Sequence, residues 1–115
     1  MTGYKRGDIV VVPFPFTDFS TLKQRPALVI SSDTFNRTRE DAILVALTSN
    51  IDAAPKGGNY LIKGTERKHC GLPADGVVLV GKIMTVDQRL IRKSIGLVSP
   101  KALREITDRI HKITG

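Results

Sequence analysis

Short β-branched apolar runs recur along the chain with turn residues between them, and this pattern strongly limits the possible folds. The clearest runs are residues 9–12, 27–30 and 42–47. The segments between them are too short for the helical crossovers that parallel strands need. The sequence therefore predicts a largely antiparallel sheet. Four further runs would contribute strands to it: residues 59–62, 76–80, 82–86 and 95–98.

Several of these runs are apolar at consecutive positions, so both faces of the sheet would be buried. A strongly curved sheet meets this demand, because one face packs inside a small barrel while the other meets a helix or a second subunit. The length of 115 residues fits one domain. We therefore expect a mainly β (α+β) fold, a small antiparallel barrel in a single domain that spans residues 1–115.

The end of the chain carries the signals of an amphipathic helix of about 13 residues. Ser99 can cap it and Pro100 suits its first position. Four apolar residues then fall on one face: Leu103, Ile106, Ile110 and Ile113. A single helical turn is predicted at residues 33–36, with Asp33 as its cap. Loops are predicted at residues 13–23, 51–58 and 64–75.

The chain is basic, with 18 Lys and Arg against 11 Asp and Glu and a net charge of +7. Such an excess favours polyanionic partners, either nucleic acid or an acidic protein, although solubility alone is an alternative explanation. One cysteine, Cys70, allows no intrachain disulfide, and with His69 and His111 it gives no zinc-ligand spacing. No signal peptide or membrane span is evident. We expect a cytoplasmic protein that needs no metal or cofactor.

Two strand ends offer groups that could handle phosphate. Arg25 precedes Pro26, which biases it towards extended geometry at the junction of a loop and a buried strand. A planar guanidinium held there could clamp a phosphate, or it could be an ordinary surface arginine. Residues 48–50, Thr-Ser-Asn, end another buried strand and could either face a pocket or simply form a turn.

Several segments, taken together and in this order, resemble the MazF/PemK family of toxin endoribonucleases over nearly the whole chain. They are Gly7-Asp8-Ile9-Val10, Arg25-Pro26-Ala27-Leu28-Val29-Ile30-Ser31, Leu47-Thr48-Ser49, Thr85-Val86-Asp87, Arg89-Leu90 and Ile95-Gly96. The resemblance implies an SH3-like antiparallel β-barrel (PemK/CcdB-like) with an amphipathic C-terminal helix. It also implies a homodimer and a cognate antitoxin. Asp87 and Arg89 are expected to make structural contacts.

The implied activity is sequence-specific, metal-independent cleavage of single-stranded RNA, such as mRNA. The 2′-hydroxyl would attack its own phosphate to leave 2′,3′-cyclic phosphate and 5′-hydroxyl ends. By resemblance Arg25 and Thr48 are the catalytic pair, with Arg25 on the phosphoryl oxygens and Thr48 donating a hydrogen bond. Further candidates for RNA contact are Phe16, Lys23, Gln24, Ser49, Asn50 and Lys82. An acidic antitoxin segment would cover the same basic groove.

The chain also departs from the family pattern. Many members carry Glu-Gln in the first loop, where residues 18–23 here read Asp-Phe-Ser-Thr-Leu-Lys. Lys82 and Met84 stand where a glutamine and an arginine are common. These changes bear on base recognition and on the rate of cleavage. Two alternative functions stay open: a noncatalytic nucleic-acid-binding or protein-binding barrel, and a toxin of similar fold that poisons gyrase.

Overall fold

A six-stranded antiparallel sheet and three helices make up the part of the chain that the computed structural model describes, residues 3–14 and 23–115. The strands are β1 Asp8–Phe14, β2 Lys23–Val29, β3 Asp41–Thr48, β4 Tyr60–Ile62, β5 Gly76–Asp87 and β6 Lys93–Leu97. The helices are α1 Asp33–Thr38, α2 Gly64–Cys70 and α3 Pro100–Thr114. The sheet order is β4-β5-β3-β2-β1-β6. The predicted antiparallel, mainly β fold with a C-terminal helix is confirmed.

A bulge in β5 curls the sheet. Val45 of β3 lies opposite Ile83, whereas Leu47 lies opposite Val78. The four residues 79–82 of β5 therefore face only Ala46, and such an excess on one strand forces it to bend. The sequence predicted two separate strands at residues 76–80 and 82–86. They are instead the two halves of one bent strand.

Each face of the sheet buries its own apolar cluster, as the consecutive apolar positions predicted. On one face Leu28 and Val45 pack with Ile106 of α3. On the other face the neighbouring positions, Ala27 and Leu44 among them, belong to a cluster that also contains the buried Ile91. This alternation is the normal two-residue period of a strand with both faces covered.

The C-terminal helix α3 begins as predicted. The Ser99 side chain accepts a hydrogen bond from the backbone N–H of Ala102 at 3.1 Å, and Pro100 occupies the first turn. Ile106 and Ile110 are buried, but Ile113 is 50% exposed. Ile113, the last of the four apolar residues on this face, lies near the end of the helix, and its Cδ1 would be 3.9 Å from a Cβ added at Gly81.

Helix α2 lies inside the segment predicted as a loop, residues 64–75. Its start carries no capping side chain at Lys63, and Gly64 has a φ of +62°, so the usual N-terminal signals are missing. Gly71 ends the helix with a φ of +71°. A Cβ at Gly71 would lie 1.9 Å from the carbonyl oxygen of Ile95, so α2 and β6 approach each other backbone to backbone.

Helix α1 extends to Thr38, and its cap is Ser32, not Asp33 as predicted. The Ser32 hydroxyl accepts from the N–H of Phe35 at 3.1 Å. The Asp33 carboxylate instead accepts from the backbone N–H of Arg6 at 2.8 Å and so ties α1 to the start of the chain. None of the helices in the described residues is both long enough and apolar enough to cross a membrane.

Candidate functional site

Arg25 and Thr48 lie on neighbouring strands and line the same pocket. Ala27 of β2 is paired with Ala46 of β3. The same register extended by two residues places Arg25 opposite Thr48, with both side chains on one face of the sheet. Both residues are partly buried. The two residues that the family resemblance singled out are thus brought together by the β2–β3 register.

Pro26 lies within β2, which begins at Lys23, so the prediction that Arg25 lies at the junction of a loop and a strand is wrong. Pro26 is paired with Val11 of β1, but the β2–β3 pairing starts only at Ala27. A residue without an N–H is tolerated there because it lies just outside that ladder. The proline holds Arg25 in extended geometry inside the strand instead of at a loop junction.

A pocket of about 410 Å³ opens at this end of the sheet. From the predicted set it brings together Gln24, Arg25, Thr48 and Ser49. Its other lining residues are Pro26, Leu47, Leu72, Pro73, Ala74, Asp75 and Gly76. The volume lies within the range of small-ligand sites, about 300–1,000 Å³. The pocket therefore combines a guanidinium and a hydroxyl with apolar walls.

The hydroxyl of Thr48 is oriented by the chain that follows it. Its oxygen accepts from the backbone N–H of Asn50 at 3.2 Å, and the Asn50 side chain accepts from the N–H of Asp52 at 3.1 Å. Because Thr48 acts as the acceptor in this bond, its own proton stays available for donation to a ligand oxygen.

A second wall of the pocket, residues 72–76, which leads into β5, did not figure among the predicted site residues. Val77, the next residue, is paired with Thr48, so this wall starts directly beside the predicted catalytic hydroxyl. Arg67 of α2 contacts both ends of this segment. Its Nη1 donates to the Leu72 carbonyl at 2.8 Å, and its Nε lies 3.8 Å from Asp75 Oδ1. No local sequence signal could have identified this wall, because the β3–β5 pairing and α2 place it.

Two described side chains of the predicted RNA-contacting set, Asn50 and Lys82, do not line the pocket. Asn50 lies next to it and caps the short 3-10 turn Ile51–Ala53. Lys82 is exposed in the β5 bulge. Lys23 begins β2, and Phe16 falls outside the described residues. Their roles in RNA contact stay predictions.

The two histidines are exposed, and neither lines the pocket. Cys70 is buried, and burial together with the nearby Glu66 carboxylate raises the pKa of its thiol to about 12.

The hydrogen bond from Arg89 lowers the pKa of Asp87 to about 2, and the two side chains form an ion pair of 2.7 Å. This confirms the expected structural contact. Across residues 3–14 and 23–115, no three His, Cys, Asp or Glu side chains form a group that could hold a metal ion.

Solved structures share this fold over nearly the full length of both chains. An endoribonuclease in complex with its cognate antitoxin, from a mycobacterial species, has a TM-score of 0.80 at 18% identity and covers 98% of this chain and 96% of its own. MazF from Deinococcus radiodurans has a TM-score of 0.78 at 20% identity, with 100% and 99% covered.

Comparison of sequences points to the same group of proteins as comparison of structures. Endoribonuclease MazF6 of Mycobacterium tuberculosis is 32% identical over 92 residues, which cover 79% of this chain and 78% of that protein. Endoribonuclease MazF of Staphylococcus saprophyticus is 26% identical over 107 residues, or 92% and 87% of the two chains. Residues 5–114 match the family described as the PemK-like, MazF-like toxin of type II toxin-antitoxin systems. With this match and the shared fold, the chain belongs to the PemK-like, MazF-like toxin family.

Proposed function

We propose that this chain is an endoribonuclease toxin that cleaves single-stranded RNA in the pocket between β2, β3 and residues 72–76. The observation that carries the proposal is that Arg25 and Thr48, from two different strands, line one pocket. The relatives named endoribonucleases in M. tuberculosis and S. saprophyticus support it. The net charge of +7 suits a polyanionic substrate.

Cleavage without a metal requires the 2′-oxygen to attack the adjacent phosphorus while the 5′-oxygen of the next nucleotide leaves. Negative charge then accumulates on the non-bridging oxygens. The Arg25 guanidinium binds these oxygens through parallel N–H donors, and the Thr48 hydroxyl donates one further hydrogen bond. The products are a 2′,3′-cyclic phosphate and a 5′-hydroxyl.

Proton transfer in this mechanism does not use the arginine, because a guanidinium stays protonated in proteins. The 2′-hydroxyl proton passes to water, and the leaving 5′-oxygen takes a proton from water. Arg25 then acts purely by stabilising charge in the transition state. A nuclease of this kind is slow, and its rate depends on how well the bound sequence aligns the attacking oxygen.

An antitoxin would inhibit the nuclease at the same pocket. A cognate antitoxin with an acidic segment would bind over the pocket and compete with RNA for Arg25. The mycobacterial endoribonuclease of similar fold is described in complex with its cognate antitoxin. We further propose that the protein acts in the cytoplasm as a homodimer, an assembly that sedimentation analysis tests directly.

The test of cleavage uses purified protein and a long unstructured RNA in excess EDTA. New 5′ ends are mapped and their chemistry is determined. We expect cuts at a recurring short sequence, with 5′-hydroxyl ends, that disappear in Arg25→Ala and Thr48→Ala. Asp108→Asn, an exposed change on α3, serves as the control and should cut like the parent.

Other outcomes distinguish the alternatives. Intact RNA together with salt-sensitive RNA binding would replace the nuclease by a noncatalytic binding barrel. Intact RNA with capture of gyrase subunits would point to a gyrase poison. Cleavage that EDTA abolishes would overturn the metal-independent mechanism while keeping the nuclease.

A further inference from the structure

We propose that Asp75 reads the base of the nucleotide at the cleavage site and selects guanine. This inference rests on the proposed function, because it assigns a base-reading role to the same pocket. Asp75 lines the pocket, and its side chain is 48% exposed, so a ligand can reach it. Among the described residues that line the pocket, Asp75 is the one carboxylate.

The pocket places opposite charges on the two sides of Thr48. Arg25 projects from β2 and Asp75 precedes β5, while β3 with Thr48 lies between those strands. Two strand spacings amount to roughly 10 Å. A nucleotide has the same polarity, with an anionic phosphate at one end and a base edge carrying N–H donors at the other. Its phosphate fits beside Arg25 and its base edge beside Asp75.

The apolar part of the pocket lining suits the faces of a base. Besides the two charged residues, the pocket is lined by five apolar or proline side chains: Pro26, Leu47, Leu72, Pro73 and Ala74. Unpaired bases in RNA-binding sites are commonly held by such contacts on their faces and by hydrogen bonds on their edges. The volume of about 410 Å³ is large enough for a single nucleotide unit.

An aspartate carboxylate distinguishes the bases because, when ionised, it only accepts hydrogen bonds. Guanine presents two adjacent donors, N1–H and N2–H, which match the two carboxylate oxygens. Adenine and cytosine place one donor beside a ring-nitrogen acceptor, and uracil flanks its single donor with two carbonyl oxygens. The second carboxylate oxygen would be repelled by each of these three bases, so guanine is the base that fits.

The carboxylate is held in place for this role. Arg67 lies 3.8 Å from Asp75 Oδ1 and donates to the Leu72 carbonyl at 2.8 Å, so it contacts both ends of the loop. Val77 is paired with Thr48 two residues after Asp75. Gly76 between them lies beside Thr48: a Cβ added there would be in ordinary van der Waals contact with the Thr48 carbonyl oxygen, at 3.5 Å. Asp75 therefore has a fixed position relative to Thr48.

The decisive experiment measures binding, so that it does not depend on cleavage. The four nucleoside 3′-monophosphates are titrated into the protein at one salt concentration and followed by NMR. We expect guanosine 3′-monophosphate to bind about 10-fold more tightly than the uridine compound. Asp75→Asn should abolish this preference and leave uridine binding unchanged. Arg25→Ala should weaken all four by a similar factor, and Asp108→Asn should change nothing.

Equal binding of the four nucleotides, no binding of any, or a guanine preference that survives in Asp75→Asn would overturn the assignment. Mapped cleavage sites then separate this inference from the proposed function. Cutting without a guanine at a fixed position, together with equal nucleotide binding, would reject the role of Asp75 and keep the nuclease. Selective guanine binding without any cleavage would keep the role of Asp75 and reject the nuclease.

Discussion

The carboxylate of Glu66 in α2 caps the N-terminus of α3 through Ser99. It accepts from the Ser99 backbone N–H at 2.8 Å and from the Ser99 hydroxyl at 2.7 Å. The Ser99 hydroxyl in turn accepts from the N–H of Ala102. An anion at a helix N-terminus is also favoured by the helix dipole. One side chain thus links two helices that are far apart in the sequence.

Ser99→Ala should lower the free energy of unfolding by about 1–2 kcal/mol, because α3 loses its cap. Glu66→Ala should cost about 1.5–3 kcal/mol, the range for hydrogen bonds to a charged group. Since both variants break the same contact, the double variant should lose less than the sum. Urea unfolding measures all three. Asp108→Ala, at an exposed helix position, is the control, and strict additivity would contradict the link.

Gly96→Ala should destabilise the fold by about 3 kcal/mol or more. An added Cβ would lie 2.4 Å from the carbonyl oxygen of His69 and from the carbonyl carbon of Cys70, which are backbone atoms that cannot turn aside. Gly64→Ala is the matched control: it places alanine at a φ of +62° in open space, a strain of about 1–2 kcal/mol. Thermal unfolding compares the two. Similar losses would mean that α2 and β6 are not in close contact.

Cys70 should resist thiol reagents in the folded protein. The thiolate is the reactive form, and a pKa raised to about 12 by burial and by Glu66 leaves almost none of it at pH 8. We expect slow labelling by a thiol-disulfide reagent in buffer and rapid labelling in denaturant. Cys70→Ala gives the baseline, because the chain has one cysteine. Rapid labelling of the folded protein would contradict the burial.

The same raised pKa gives a sign for the dependence of stability on pH. Below pH 9.0, the pKa of the thiol in the unfolded chain, the thiol is protonated in both the folded and the unfolded state. Its contribution to the free energy of unfolding is then fully present. As the pH rises from about 9 towards about 12, only the unfolded state releases this proton, so the folded state loses stability. Cys70→Ala should remove this part of the alkaline decline, which unfolding curves at several pH values would detect.

Arg25→Lys should slow RNA cleavage on the order of 100-fold or more, although the charge is kept, because lysine lacks the planar fork that binds two phosphoryl oxygens. Arg104→Lys, an exposed change of the same kind on α3, should cleave normally. Rates are measured at saturating RNA. If Arg25→Lys cut at the parent rate, a positive charge alone would suffice for catalysis. The proposal that the guanidinium binds two phosphoryl oxygens at once would then be wrong.

Thr48→Val should slow cleavage by a similar factor, about 3 kcal/mol of transition-state stabilisation, because the hydroxyl that donates to the phosphate is lost. Thr48→Ser keeps this hydroxyl and should retain most of the activity. Thermal unfolding of both variants guards against a folding defect. Equal activity of the valine and serine variants would remove Thr48 from the mechanism.

Local patterns were sufficient for most of the secondary structure. The apolar runs at 9–12 and 42–47 lie in strands, and so does the run at 27–30 as far as Val29, since a β-branched run bounded by turn residues has few other stable conformations. The C-terminal helix followed from Ser99 and Pro100 for the same local reason. Helix α2 was missed because it starts on a glycine and is held by contacts with β6 and Ser99, both remote in the sequence.

The candidate site was likewise predicted only in part from the sequence. Arg25 and Thr48 were identified in the sequence by the motifs around them, and the wall that completes their pocket was not. The sequence by itself determined the strands, the last helix, the basic charge and the two residues at the strand ends, because each depends on neighbouring residues. Only the tertiary structure decided that Asp75 lies in the pocket of Thr48. Its position depends on the β5 bulge, the β3–β5 register and the Arg67 contact, which form only when distant segments pack together.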